Sequence, residues 1–153
     1  MPRRLVLVRH AKAVQGGSID AERALAPRGI ADAGAVGRWL VAEKVTPDRV
    51  VISPSRRTRQ TWELAAPPDA PAPEIDERIY ENTLDDLVEI IRETPPETQT
   101  LVLVGHNPSM AELANTIDRQ LTDYPTSATA IFELDDWAQA TSGQLITFRV
   151  PRG

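Results

Sequence analysis

The chain has 153 residues, 41% of them hydrophobic and 25% charged, an ordinary globular balance long enough to bury a core without staples. It has no cysteine, which excludes disulfides, thiol catalysis and thiolate metal sites. A net charge of −5 argues against nucleic acid and anionic membranes as partners, so an anionic ligand must be drawn in by a local cluster of arginines.

In chain order, the first element is Leu5-Val6-Leu7-Val8, which runs into Arg9-His10. Four aliphatics in a row fit a strand buried on both faces, the pattern of a parallel strand. Pro27 suits a first helical turn, and Ile30, Gly34, Gly37, Leu40 and Val41 follow at helical spacing before Pro47. Val50-Val51-Ile52 is a short buried strand leading into Ser53-Pro54, with Ser53 as the expected helix cap and Pro54 in the first turn. That helix carries Arg56, Arg57 and Arg59 and ends in Ala65-Ala66-Pro67-Pro68. The proline-rich stretch from Pro67 to Pro73 is too short to link two domains.

Leu84, Leu87, Val88 and Ile91 mark an amphipathic helix stopped by Pro95-Pro96. Leu101-Val102-Leu103-Val104 then repeats the first strand and ends at Gly105-His106. Met110, Leu113, Ala114 and Ile117 continue as a helix. Ala128 to Leu134 and Gln144 to Val150 read as a closing hairpin with Gly143 in its connection. Strand and helix alternate throughout. The expected fold is α/β, a three-layer sandwich with a mostly parallel central sheet, in a single domain over residues 1–153.

His10 and His106 are the two histidines of the chain, each at the end of such a run. Parallel strands would bring both imidazoles to one sheet edge, where α/β proteins place their ligand crevice. The alternative is a pair of unrelated strand-end histidines making ordinary hydrogen bonds. A metal site takes three or four protein ligands, and neither histidine stands in an HxxxH or HxH pattern. Arg9 would repel a cation, whereas its planar fork of donors suits an oxyanion. No metal or cofactor is expected. A second arginine comes from Ser53 to Thr61, where a helix start already favours an anion. Spacing alone does not separate Arg56, Arg57 and Arg59, any of which could lie on a solvated face.

Arg9-His10-Ala11-Lys12-Ala13 resembles the Arg-His-Gly signature of the histidine phosphatase superfamily, with alanine replacing glycine. Ser53-Pro54-Ser55-Arg56-Arg57 is similar to its Ser-Pro-x-x-Arg element, and Val104-Gly105-His106-Asn107-Pro108 to its second-histidine motif. These, with Arg23-Ala24-Leu25, Gly29 and Pro125-Thr126-Ser127-Ala128, resemble the SixA-like phosphohistidine phosphatase branch from residue 5 to about residue 135.

The resemblance implies a phosphoglycerate-mutase-like fold and a phosphatase that works through a phosphohistidine intermediate. His10 would be the nucleophile, while Arg9, Arg57 and His106 surround the phosphoryl oxygens. Arg23 would add a phosphate contact or serve as a surface ion pair. Glu81 is the nearest candidate general acid and Asp85 the second, unless both are helix-start charges. The implied partner is a phosphorylated protein carrying phosphohistidine, or a small phosphorylated molecule. A mutase would need insertions for which 153 residues leave little room. A phosphate-binding module without turnover is the rival outside enzymes, though it could dispense with the nucleophile. No run approaches the roughly 20 apolar residues that cross a bilayer, and the start is too short for a signal-peptide core, so the expected location is the cytoplasm.

Overall fold

Both LVLV runs become neighbouring strands at the centre of one sheet. The computed structural model describes residues 2–16, 19–80 and 83–153. Strands β1 (Arg3–Arg9), β2 (Arg49–Ile52), β3 (Glu74–Ile75), β4 (Thr100–Gly105), β5 (Thr129–Leu134) and β6 (Gly143–Arg149) lie in the order β3-β2-β4-β1-β5-β6. The first four neighbours run parallel, and β5 and β6 close the other edge antiparallel. The mostly parallel α/β fold is therefore as expected, with the hairpin supplying the antiparallel edge.

Burial on both faces accounts for the aliphatic runs. Helices α1 (Pro27–Ala42) and α2 (Arg56–Ala65) cover one face, where Val36, Leu40, Trp62 and Ala65 pack on Val6, Val8, Val102 and Val104. On the other face α3 (Leu84–Arg92) and α4 (Ser109–Ile117) bring Leu87, Ile91, Met110 and Leu113 against Leu5, Leu7, Leu101 and Leu103. The strand residues of both runs are fully buried. At roughly 2 kcal/mol for each such side chain, the pair of strands cannot slip without exposing the core. Rigid strands carry the residues at their ends to fixed places.

Two local expectations differ from the structure. Ser55, rather than Ser53, caps α2 by accepting from the Thr58 amide at 3.4 Å. The Ser53 amide donates to the Val104 carbonyl, which extends the β2–β4 ladder and postpones the helix until after Pro54. Gly143, expected in the hairpin connection, is instead the first residue of β6, and the connection contains a 3₁₀ turn at Trp137–Gln139. The edge strand β3 follows the prolines and has two exposed residues, too few for a period to be read. Among the described residues no helix is long and apolar enough to cross a membrane.

Candidate active site

The parallel register pairs Arg9 with Gly105, so the next residues, His10 and His106, emerge side by side at the carboxyl ends of β1 and β4. Their ring centroids are 5.2 Å apart. Each is almost fully buried, and both line a cavity of about 400 Å³ together with Arg9, Lys12, Arg23, Arg57, Asn107 and Thr126. The two histidines are thus not unrelated strand ends.

His10 is fixed by its own loop. Its amide donates to the Gly105 carbonyl at 3.1 Å, and its carbonyl accepts from the Ser127 amide at 3.0 Å. Ring Nδ1 lies 2.7 Å from the Ala11 carbonyl, an acceptor, so Nδ1 carries the proton and Nε2 keeps its lone pair. The Ala11 amide donates to Thr61 Oγ1 on α2, which ties this loop to the helix bearing Arg57. At Gly29 an added Cβ would sit 2.0 Å from the Lys12 carbonyl oxygen. Glycine there lets the start of α1 press directly against the loop.

Burial pushes the His10 pKa down to about 4, with Arg9, Arg57 and Arg23 adding to the effect against the Ala11 hydrogen bond. His106 falls to about 3, first through burial and then through His10 and the arginines, while Asp20 opposes. Both imidazoles are therefore neutral at neutral pH. His106 Nε2 lies 2.9 Å from Ser53 Oγ, and Nδ1 has no partner among the described residues. Ser55 Oγ lies 3.4 Å from the same Nε2, so both serines at the start of α2 hold the ring in place.

The arginines come from different elements. Arg9 ends β1 and donates through Nη1 to the Tyr124 carbonyl at 3.2 Å, a carbonyl that also accepts from Asn107 Nδ2. The buried Arg57 sits in the first turn of α2 on its inner face, whereas Arg56 and Arg59 are exposed. Arg23 lines the cavity and also pairs with Asp20 at 2.9 Å, the ion pair that was one of its two expected roles. Asp85 is exposed in the first turn of α3 and is not among the cavity's lining residues. Glu81 lies outside the described residues.

A family model for the histidine phosphatase superfamily (branch 1) matches residues 5–103. The chain belongs to this superfamily. It is a phosphatase. Among relatives of this histidine phosphatase, the uncharacterized protein Rv1276c of Mycobacterium tuberculosis is 36% identical over 160 residues, covering 95% of this chain and 100% of the relative. A candidate SixA phosphohistidine phosphatase from Nakamurella multipartitia superposes with TM-score 0.87 at 26% identity, over 99% of this chain and 97% of that one. Its counterpart from Agrobacterium tumefaciens gives TM-score 0.87 and 26% identity over 99% of both chains. The match places this phosphatase beside the SixA-like branch.

One residue that holds the arginines of the phosphatase pocket was not read from the sequence. Asp20, in a 3₁₀ turn, accepts from Arg57 Nη2 at 3.1 Å and from the Tyr80 hydroxyl at 2.5 Å, while its carbonyl takes Arg57 Nη1 at 2.9 Å. Tyr80 first, then Arg23 and Arg57, hold the Asp20 carboxyl well below the usual carboxylate range. It is an anion, unsuited to give up a proton. Tyr80 also stands edge-on to the His106 ring at 5.6 Å. The i,i+3 spacing of Asp20 and Arg23 was the one local hint of this network.

Proposed function

We propose that this phosphatase hydrolyses phosphohistidine on proteins, without a metal ion, by carrying the phosphoryl group on His10. The observation behind this reading is a buried, neutral His10 with its Nε2 lone pair free, beside His106 and facing Arg9 and Arg57. Nε2 attacks phosphorus while the bond to the substrate's imidazole nitrogen breaks, and the substrate ring, already protonated on its other nitrogen, departs as neutral imidazole. Water then attacks the phosphorus, releasing inorganic phosphate and freeing Nε2. In this reading Arg9, Arg57 and His106, which line the same cavity, neutralise the equatorial oxygens, where the charge of a phosphoryl transition state is spread. Arg23 reaches the rim of the same cavity.

The choice of phosphohistidine rests on the leaving group. Among the described residues no carboxylate lines the cavity, and the nearby Asp20 is held as an anion. A substrate ring that takes its proton from water on the free nitrogen, with an imidazole pKa near 6.5, leaves as neutral imidazole, far less basic than an alkoxide, and needs little help from an acid of the enzyme. The test compares hydrolysis of several phosphohistidine proteins with a panel of phosphomonoesters. Faster turnover of the phosphohistidine proteins is expected, with label from rapidly quenched enzyme on His10. Preference for an alkyl phosphate, together with a loss of about 10²-fold in Glu81→Gln on that ester, would make a small phosphomonoester the substrate and Glu81 its acid.

A further inference from the structure

We infer that a second depression beside the phosphate pocket receives acidic side chains that flank the phosphohistidine of the substrate protein. This inference rests on the phosphohistidine-protein reading above and adds the chemistry of the segment around the phosphorylated residue. The depression is about 580 Å³ and shares Arg23 with the cavity that holds His10 and His106. Arg56 and Arg59 form its basic wall, and Val14 and Ile19, 40% and 53% exposed, offer an apolar surface beside them.

Charge decides what fits. Arg56 and Arg59 are exposed, and neither pairs with a carboxylate among the described residues. Their neighbours differ, since Arg23 and Arg57 are both answered by Asp20. Arg59 Nε donates to the Pro54 carbonyl at 3.0 Å, which orients its guanidinium and leaves the terminal nitrogens for a ligand. Arg56 is the first residue of α2, where the helix dipole adds to its positive field. One carboxylate, Glu22, lines the depression against three guanidinium groups. In a chain of net charge −5 this is a local reversal of sign, so an acidic segment is repelled elsewhere and attracted here. Arginine outside the reacting centre would thereby orient the phosphohistidine toward His10.

Synthetic phosphohistidine peptides of one length, flanked by Glu, by Gln or by Lys two to four residues away, test the inference, with free phosphoramidate as a small control. The wild-type enzyme should favour the Glu peptide over the Gln peptide by about 5- to 20-fold in kcat/KM, mostly through KM, and less so at high salt. The double variant Arg56→Ala/Arg59→Ala should lose that preference, and Arg56→Glu/Arg59→Glu should prefer Lys. Both variants should turn over phosphoramidate within a few-fold of the wild-type rate, which also reports that they fold. Equal kcat/KM for Glu and Gln peptides, or a Glu preference that survives the double alanine variant, would overturn the subsite alone. If the wild-type enzyme cleaves phosphoramidate and none of the peptides, the protein-substrate reading falls, and the subsite falls with it.

Discussion

Burial lowers the His10 pKa to about 4 and that of His106 to about 3, whereas both titrate near 6.5 in an unfolded chain. Between these values the unfolded chain binds more protons than the folded one, so stability rises with pH through that window and is level above it. The urea midpoint should therefore fall as pH drops from 6.5 toward 4, and His10→Gln with His106→Gln should flatten the slope. An unchanged slope in the double variant would assign the acid sensitivity to carboxylates. His10→Ala should lower kcat by about 10³-fold or more with near-UV circular dichroism intact. Asp20 presents a different case, because its carboxylate occupies donors of Arg57 and Arg23 that a phosphate needs. Asp20→Asn should tighten inhibition by inorganic phosphate several-fold. Weaker inhibition would mean that Asp20 serves chiefly to hold Arg57 in place. Of these residues the histidines and Arg9 were legible from their positions after aliphatic runs. Asp20 was not, since nothing local ties a loop aspartate to an arginine on a later helix.

At the scale of elements, α2 supplies Arg57, and it and the start of α1 brace the loop that follows β1. Loss of one preorganised oxyanion donor costs about 10²–10³ in rate, so Arg57→Ala should fall in that range on free phosphoramidate. Arg56→Ala and Arg59→Ala should stay within a few-fold on the same compound, because both side chains point to solvent. The close approach at Gly29 gives a second prediction. Gly29→Ala should lower Tm by several degrees and reduce turnover, since the added methyl meets the Lys12 carbonyl rather than a movable side chain. Gly34→Ala in the same helix is the control. Its nearest neighbour is Arg38 Nη1 at 3.4 Å, so it should be neutral or mildly stabilising. The helices themselves were readable from apolar spacing and prolines. Their exact beginnings depended on tertiary partners, as Ser53 shows by joining the sheet and contacting His106 while Ser55 caps α2.

For the whole molecule, the packed sheet and helices bring Arg9, Arg23, Arg57 and His106 from separate parts of the chain to line one cavity. The proposed neutralisation of phosphate by arginines requires that activity survive excess EDTA and gain nothing from added Mg²⁺ or Zn²⁺. Loss on chelation with recovery by one metal would refute the arginine-based pocket. By itself the sequence determined that two aliphatic runs must be buried on both faces, and hence that His10 and His106 stand at the ends of parallel strands. The resemblance of Ser53 to Arg57 to the Ser-Pro-x-x-Arg element also pointed to Arg57 rather than its neighbours. Those features are local, because burial period and strand ends are written in consecutive residues. Only the tertiary structure decided the β1–β4 register that sets the rings 5.2 Å apart, and the pairing of Arg57 with Asp20 across 37 positions. Both depend on which segments the packed sheet and helices bring together, and that is a property of the folded core rather than of any stretch of chain.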